Sequence, residues 1–365
     1  MTTMILEGGH LITPLDERFT DLCLEGGRIE RLSDDGLRAQ SGVDNIDCSG
    51  CYVTPGLFDL QVNGGPECSL WGDPTAQDLT RLRKSLARQG TTSFLPTLIT
   101  DDLGHLKKNI EFLSAQGAGA DDARADLLAR MPGIHLEGPC LSPQRPGVHP
   151  PQWLQPLTRK LMEEIAGRSV SLVTLAPELE PSGESVSWLI DRGVRVSLGH
   201  SNATADEARR GFTQGIRLVT HTFNALPPLH HRAPGAVGAA LCEPVVTCCI
   251  ICDGLHIDRT VADLVIEHKG ASRVILVTDA AQVGTKGGGL VGSSIHLSEA
   301  VRNVVGWGIA SFIEAISMAS YNPAAALGLE DRIGHLAPGK AADLVVWDKQ
   351  TLAIKHVIVG GRLVA

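Results

Sequence analysis

RVILVTD, residues 273–279, is a run of apolar and β-branched residues that ends abruptly in an acid, and three other stretches have the same form. GIHLE (133–137), RVSLGH (195–200) and RLVTH (217–221) end in Glu137, His200 and His221. A short apolar run without polar alternation reads as a strand covered on both faces, as in a parallel sheet. Four such strands that deliver Glu, His, His and Asp at their C-terminal ends predict the mouth of a catalytic barrel.

Working outward from these runs, eight strands are expected: Leu57–Asn63, Thr92–Thr97, Gly133–Glu137, Val170–Ala176, Val194–Gly199, Leu218–Thr222, Val245–Cys252 and Val274–Asp279. Helix-like segments such as TAQDLTRLRKSLARQG and NATADEARRGFTQG fill most gaps, with Asn202 as a start signal and Gly90 and Gly215 as stops. The pattern predicts an α/β fold, a (β/α)8 TIM-like barrel over residues 55–336. Outside it the style changes. MILEGGHLI (4–12), DLCLEGGRIERL (21–32), ADLVVWD (342–348) and AIKHVIVGGRLV (353–364) are short strands broken by Gly pairs, the pattern of hairpins. Residues 1–54 and 337–365 are too short to stand alone and are expected to combine into one small β-sandwich domain.

Composition narrows the function. With 32 Lys+Arg against 41 Asp+Glu the net charge is −9, and aromatic residues make up 4%. That excludes a basic, aromatic-rich nucleic-acid surface, and an anionic substrate must be caught by a local site against the overall field. MTTMILEGGHLITP has no basic leader with a long apolar run, and no apolar stretch approaches the roughly 18 to 20 residues of a spanning helix, so neither a signal peptide nor a membrane is expected. Nine cysteines, an odd number, point to reduced thiols in a cytoplasm. Cys248, Cys249 and Cys252 sit in the apolar run VVTCCIICD, so their Cys-x-x-Cys spacing reads as buried packing.

A Glu with two His is a known zinc set that leaves a position for water, whose pKa a bound cation lowers to about 7. Asp279, at the end of the eighth strand, is then placed to take and return a proton.

Seven stretches carry a resemblance: HLEGP (135–139), PGVHP (146–150), GHSNAT (199–204), THTFNALPPLHHRAPG (220–235), DGLHID (253–258), VTDA (277–280) and GHLAPGKAADLVVWD (334–348). In this order, from about Pro55 to the C-terminus, the chain resembles the N-acetylglucosamine-6-phosphate deacetylases of the amidohydrolase superfamily. The resemblance implies a metal-dependent hydrolase that makes glucosamine 6-phosphate and acetate. It implies Glu137, His200 and His221 as ligands of a divalent metal, zinc first and iron or another ion as alternatives, and Asp279 as the acid/base. It puts His149 near the sugar or acetamide, and Asn224, Ala225, Arg232 and His256 around the phosphate, for which an Arg fork and loop N–H groups are suited. His230 and His231 have no motif support and read as exposed.

Two departures stand out. Gln61 and Asn63 in DLQVNG replace the His-x-His that many amidohydrolases use for a second metal, and neutral amides are poor transition-metal ligands, so one metal per chain is expected. The segment DAAQVGTKGGGLVG (279–292) is shorter than the family's usual form, which alters how the sugar is covered. The Pro-rich rim loop LPPLHHRAPG (226–235) suggests a homodimer in which Arg232 completes the neighbour's phosphate site. Two rivals remain. A hydrolase of cyclic amides would want His-x-His and a bridging lysine, whereas a catalytically inactive sugar-phosphate-binding protein would have no need of all four mouth residues.

Overall fold

The computed structural model describes residues 3–14, 17–34, 43–66, 68–120, 127–282 and 291–364. Eight parallel strands neighbour one another in chain order: β1 (Leu57–Val62), β2 (Thr91–Ile99), β3 (Ile134–Glu137), β4 (Val170–Leu175), β5 (Arg195–Leu198), β6 (Leu218–Val219), β7 (Thr247–Ile250) and β8 (Val274–Leu276). Beyond the last regular pair, Val62 bridges Ala280 and the Asn63 N–H donates to the Ala280 carbonyl at 2.7 Å, which draws β8 back to β1. This is the barrel that the sequence predicts.

The apolar runs are explained by burial on two sides. Phe58, Leu60, Leu95, Leu172, Leu218, Cys249, Ile275 and Val277, from six different strands, form one cluster with Ala324, a contact that only the barrel interior allows. Their strand neighbours Leu57, Val173, Val219, Cys248, Val274 and Leu276 belong to a second cluster shared with the surrounding helices. Cys248, Cys249 and Cys252 are buried free thiols, and burial pushes all three up, Cys248 to about 11.

The helices begin where short polar side chains satisfy their first N–H groups. Thr75 and Asp78 form a capping box on the helix Ala76–Arg88, and Thr204 and Glu207 do the same on Ala205–Thr213. The start signal assigned to Asn202 is therefore corrected to Thr204. Asn202 has other partners: its N–H donates to Glu178 at 2.6 Å, its amide donates to Gln144 at 2.7 Å, and its Oδ1 accepts from Arg145 at 3.0 Å. Among the described residues, no helix is long and apolar enough to cross a membrane.

The two ends of the chain supply a four-stranded sheet and a six-stranded sheet. Met4, Leu6, Leu22 and Leu24 of the first pack with Leu11, Val53, Leu344, Val346 and Ile358 of the second in one core, a small sandwich. Gly26–Gly27 and Gly360–Gly361 turn its hairpins with positive φ, as Gly pairs do.

Asp343 ties sandwich to barrel. It accepts from Arg130 Nε at 2.6 Å, from Arg130 Nη2 at 3.2 Å and from the Gly360 N–H at 2.7 Å. The Asp343 side chain is 3% exposed and that of Arg130 19%. Removing one partner of a buried pair costs roughly 3–5 kcal/mol, and the access of Arg130 to water favours the lower end. Asp343→Ala is expected to lower unfolding stability by about 3 kcal/mol, read as an earlier midpoint in urea.

Candidate active site

At the C-terminal mouth Glu137 is the last residue of β3, whereas β5, β6 and β8 end two or three positions before His200, His221 and Asp279. His200, His221 and Asp279 take left-handed φ values of 45°, 28° and 51°, and Phe223 and Ala225 follow at 81° and 51°. Such backbone is strained for residues with a Cβ and persists only where surrounding packing enforces it, which is common at functional sites. Of these five, His200, His221, Ala225 and Asp279 line a cavity at the barrel mouth, and Phe223 packs against the hydrophobic core.

Glu137, His200 and His221 converge there, all buried, with one candidate ligand atom each and all three atoms within 4.8 Å of one another. Glu137 Oε1 lies 2.9 Å from His221 Nε2 and 3.4 Å from His200 Nε2, and the two imidazole nitrogens are 3.1 Å apart. His200 Nδ1 lies 3.0 Å from the Arg145 carbonyl, which only accepts. Its proton is therefore on Nδ1, and the Nε2 lone pair faces the cluster, as in a metal-binding imidazole oriented by an outer partner. Gly147 lets this loop approach: with φ of 55°, a Cβ there would meet His200 Cε1 at 2.9 Å. Gln61 Nε2 donates to Glu137 Oε1 at 2.9 Å.

The electrostatics follow from the packing. Burial opposes ionisation of Glu137, yet the hydrogen bonds and charges of His200 and His221 outweigh it and hold the carboxyl well below its usual range. Burial likewise disfavours protonated His221, but Glu137 raises it to about 9. Positive charge is thus favoured where one carboxylate and two imidazoles converge. One carboxylate with two imidazoles is a donor set that fits a divalent transition metal.

Asp279 is pushed up to about 7, first by burial and then by the charge of Glu137. The Asn63 amide opposes this by donating to its Oδ1 at 2.6 Å. His149 is 1% exposed, and burial holds it well below its ordinary value. Its Nδ1 accepts from the Thr100 N–H at 3.2 Å, so the ring proton is on Nε2. Nε2 has no hydrogen-bond partner and stands 3.9 Å from Glu137 Oε2. It is a buried donor aimed at the site.

A cavity of about 300 Å³ joins these groups, with Trp71, His149, Asn224, Ala225, His256 and Asp279 in its walls. Asp253 orients His256, with Oδ2 at 2.7 Å from its Nδ1. The structure thus brings eight of the nine sequence-derived residues to one cavity, and the ninth, Arg232, is exposed on its loop outside this wall. His230 and His231 are exposed as expected. Trp71 was not legible in advance, and Gln61 and Asn63, read only as replacements for imidazoles, prove to be hydrogen-bond donors to Glu137 and Asp279. Of the short segment 279–292, residues 283–290 lie outside the described residues. Its far end is tied back by the Ser293 N–H, which donates to the Asp279 carbonyl at 2.9 Å.

Residues 52–364 match the Amidohydrolase family. An N-acetylglucosamine-6-phosphate deacetylase of Bacillus subtilis is 33% identical over 80% of each chain. An N-acetylgalactosamine-6-phosphate deacetylase of Escherichia coli O157:H7 is 32% identical over 85% of this chain and 87% of its own. Among solved structures, a mutant N-acetyl-D-glucosamine-6-phosphate deacetylase of Mycobacterium smegmatis in complex with N-acetyl-D-glucosamine-6-phosphate superposes with a TM-score of 0.88 at 27% identity, covering 100% of both chains.

Proposed function

This chain belongs to the amidohydrolase family and, within it, to the N-acetylglucosamine-6-phosphate deacetylases, and from that premise we propose how its residues divide the work. It hydrolyses N-acetylglucosamine 6-phosphate to glucosamine 6-phosphate and acetate. The observation that carries the assignment of roles is the convergence of Glu137, His200 and His221 beside a fourth buried group, Asp279, in one cavity.

Glu137, His200 and His221 would hold one divalent metal, for which zinc suits the donor set. When bound, it supplies Lewis acidity toward the acetamide and the attacking water. Asp279 takes a proton from that water and returns it to the sugar nitrogen as the C–N bond breaks, so the proton count closes within one turnover. His149 Nε2–H donates to the oxygen that gains charge as the acetamide carbon becomes tetrahedral. Gln61 keeps the Glu137 carboxylate turned toward the histidines. Because Gln61 and Asn63 are already hydrogen-bonded to Glu137 and Asp279, they offer no second ion a ligand pair. Nine free cysteines, eight of them buried, suit a reducing cytoplasm.

Asn224, Ala225 and His256 form the phosphate end of the cavity. Among the described residues its wall contains no Lys or Arg, although a doubly charged group in a chain of net charge −9 calls for one. Exposed Arg232 fills that need from a second copy of the chain in a two-fold dimer, each site borrowing its partner's guanidinium. A charge-assisted bond contributes about 1.5–3 kcal/mol, so unphosphorylated N-acetylglucosamine and the Arg232→Ala variant should each lose roughly 10- to 150-fold in kcat/KM. Mixing Asp279→Asn with Arg232→Ala subunits then tests the geometry. Mixed dimers, verified by mass, should regain one working site of two. Equal efficiency on both sugars defeats the phosphate role, and mixed dimers without recovery defeat the sharing of Arg232.

A further inference from the structure

Asn63 is 1% exposed and each of its polar groups has a partner. Its N–H donates to the Ala280 carbonyl at 2.7 Å, and its carbonyl accepts from the Leu70 N–H at 2.9 Å. The side-chain Oδ1 accepts from Trp71 Nε1 at 3.2 Å, and Nδ2 donates to Asp279 Oδ1 at 2.6 Å. With the backbone fixed, the remaining freedom of this residue is the side-chain amide itself, whose two ends are nearly equal in shape and opposite in hydrogen bonding. An indole N–H only donates. It therefore decides which way the amide faces.

We propose that Trp71 is a positioning residue for deacetylation: its indole N–H holds the Asn63 amide with the NH2 toward Asp279, and so keeps that carboxylate in the orientation from which it moves the proton. The proposal rests on the role assigned to Asp279 above. Without the indole donor the amide is free to turn over, and its oxygen would then face an ionised Asp279 oxygen at hydrogen-bond distance. That arrangement is repulsive, so the carboxylate would swing away or remain protonated, and either outcome removes it from proton transfer.

The way Trp71 is mounted supports this role. The residue sits just after a tight hairpin, Gly64–Gly65 against Cys68–Ser69. A Cβ at Gly64 would meet the Cys68 carbonyl at 2.4 Å, so the hairpin closes only with glycine there. The Trp71 N–H donates to Ser69 Oγ at 3.2 Å, and the Gly72 carbonyl accepts from Asn109 Nδ2 at 3.0 Å. Asp73 next to it pairs with Lys108 at 2.5 Å. The chain just after Trp71 is therefore tied to the helix Leu103–Ala115, and Trp71 itself lines the cavity.

Trp71→Phe keeps an aromatic wall and removes only the donor. Acetate release from N-acetylglucosamine 6-phosphate should lose about five- to tenfold in kcat, the size of one hydrogen bond, with KM within twofold. In an Asn63→Ala background the same change should alter kcat by less than about twofold, because the two residues act in series. Melting temperature and metal content accompany each variant. Should Trp71→Phe melt early, 3-benzothienylalanine at position 71 retains the indole outline with sulfur in place of N–H, and the same kcat loss is expected. An unchanged kcat, a loss confined to KM, or an equal loss in both backgrounds makes Trp71 merely a wall and overturns the proposal. Wild-type acetate release is measured first: its absence counts against the function, whereas release that Trp71→Phe leaves untouched counts against Trp71 alone.

Discussion

Asp279→Asn should cut acetate release by roughly 10²- to 10⁴-fold, the contribution of a positioned acid/base, while leaving the fold and the metal content as they are. The fold survives because Asn, like Asp, tolerates the left-handed backbone that position 279 adopts at φ 51°. The local hydrogen bonds survive as well, since the new amide oxygen still accepts from Asn63 Nδ2, 2.6 Å from Oδ1 in the wild type. What disappears is the capacity to hold a proton between two steps. Burial, and then the charge of Glu137, push Asp279 up to about 7, and a cation held by Glu137 would pull it back down. The wild-type rate should therefore fall as pH drops through a value below 7, where Asp279 becomes protonated and no longer accepts, and the variant's residual rate should lack that limb. Near-normal turnover in the Asn variant, with metal and melting temperature unchanged, would remove Asp279 from the mechanism.

That Asp279 was legible in the sequence at all reflects the physics of the barrel. A strand buried on both faces needs no regular polar alternation, so RVILVTD and its counterparts appear as short runs rich in apolar and β-branched residues, each closed by the acid or histidine at the mouth. Parallel packing then gathers four such residues without any need to know the loops. The limits of the reading have equally local causes. Regular pairing ends at Val219 and Leu276, ahead of His221 and Asp279, because positive φ turns the chain out of the strand, and nothing in the letters marks a His or Asp as left-handed. Thr204 outcompetes Asn202 as a helix cap because Glu207, three residues on, completes a capping box. The supporting bonds were harder still. Gln61 to Glu137 spans 76 residues and Asn63 to Asp279 spans 216, so only the closed barrel shows that these amides orient carboxylates. Trp71 lies in a loop with no periodicity to read, and the exposure of Arg232 could not be foreseen from its motif.

Removing the charge of Glu137 should have an effect at least as large. In Glu137→Gln the amide oxygen can keep the bond from Gln61 Nε2, which reaches Oε1 at 2.9 Å in the wild type, so the side chain stays in place. Its second atom becomes an NH2 group, a donor where a carboxylate oxygen stood, and a neutral amide is a poor ligand for a transition metal. Two imidazole nitrogens 3.1 Å apart are then left without the negative charge that lets either a proton or a cation sit between them and the carboxylate. Metal content is expected to fall from about one ion per chain to near zero. Lewis-acid assistance contributes several kcal/mol to such a hydrolysis, so acetate release should drop by roughly 10³-fold or more. Wild type stripped by a chelator should show the same low rate, and adding zinc should restore wild type but not the variant. That difference separates loss of the ligand from loss of the fold. Two ions per active wild-type chain would defeat the single-metal site, and a Gln variant that retains both its ion and its turnover would take Glu137 out of the ligand set.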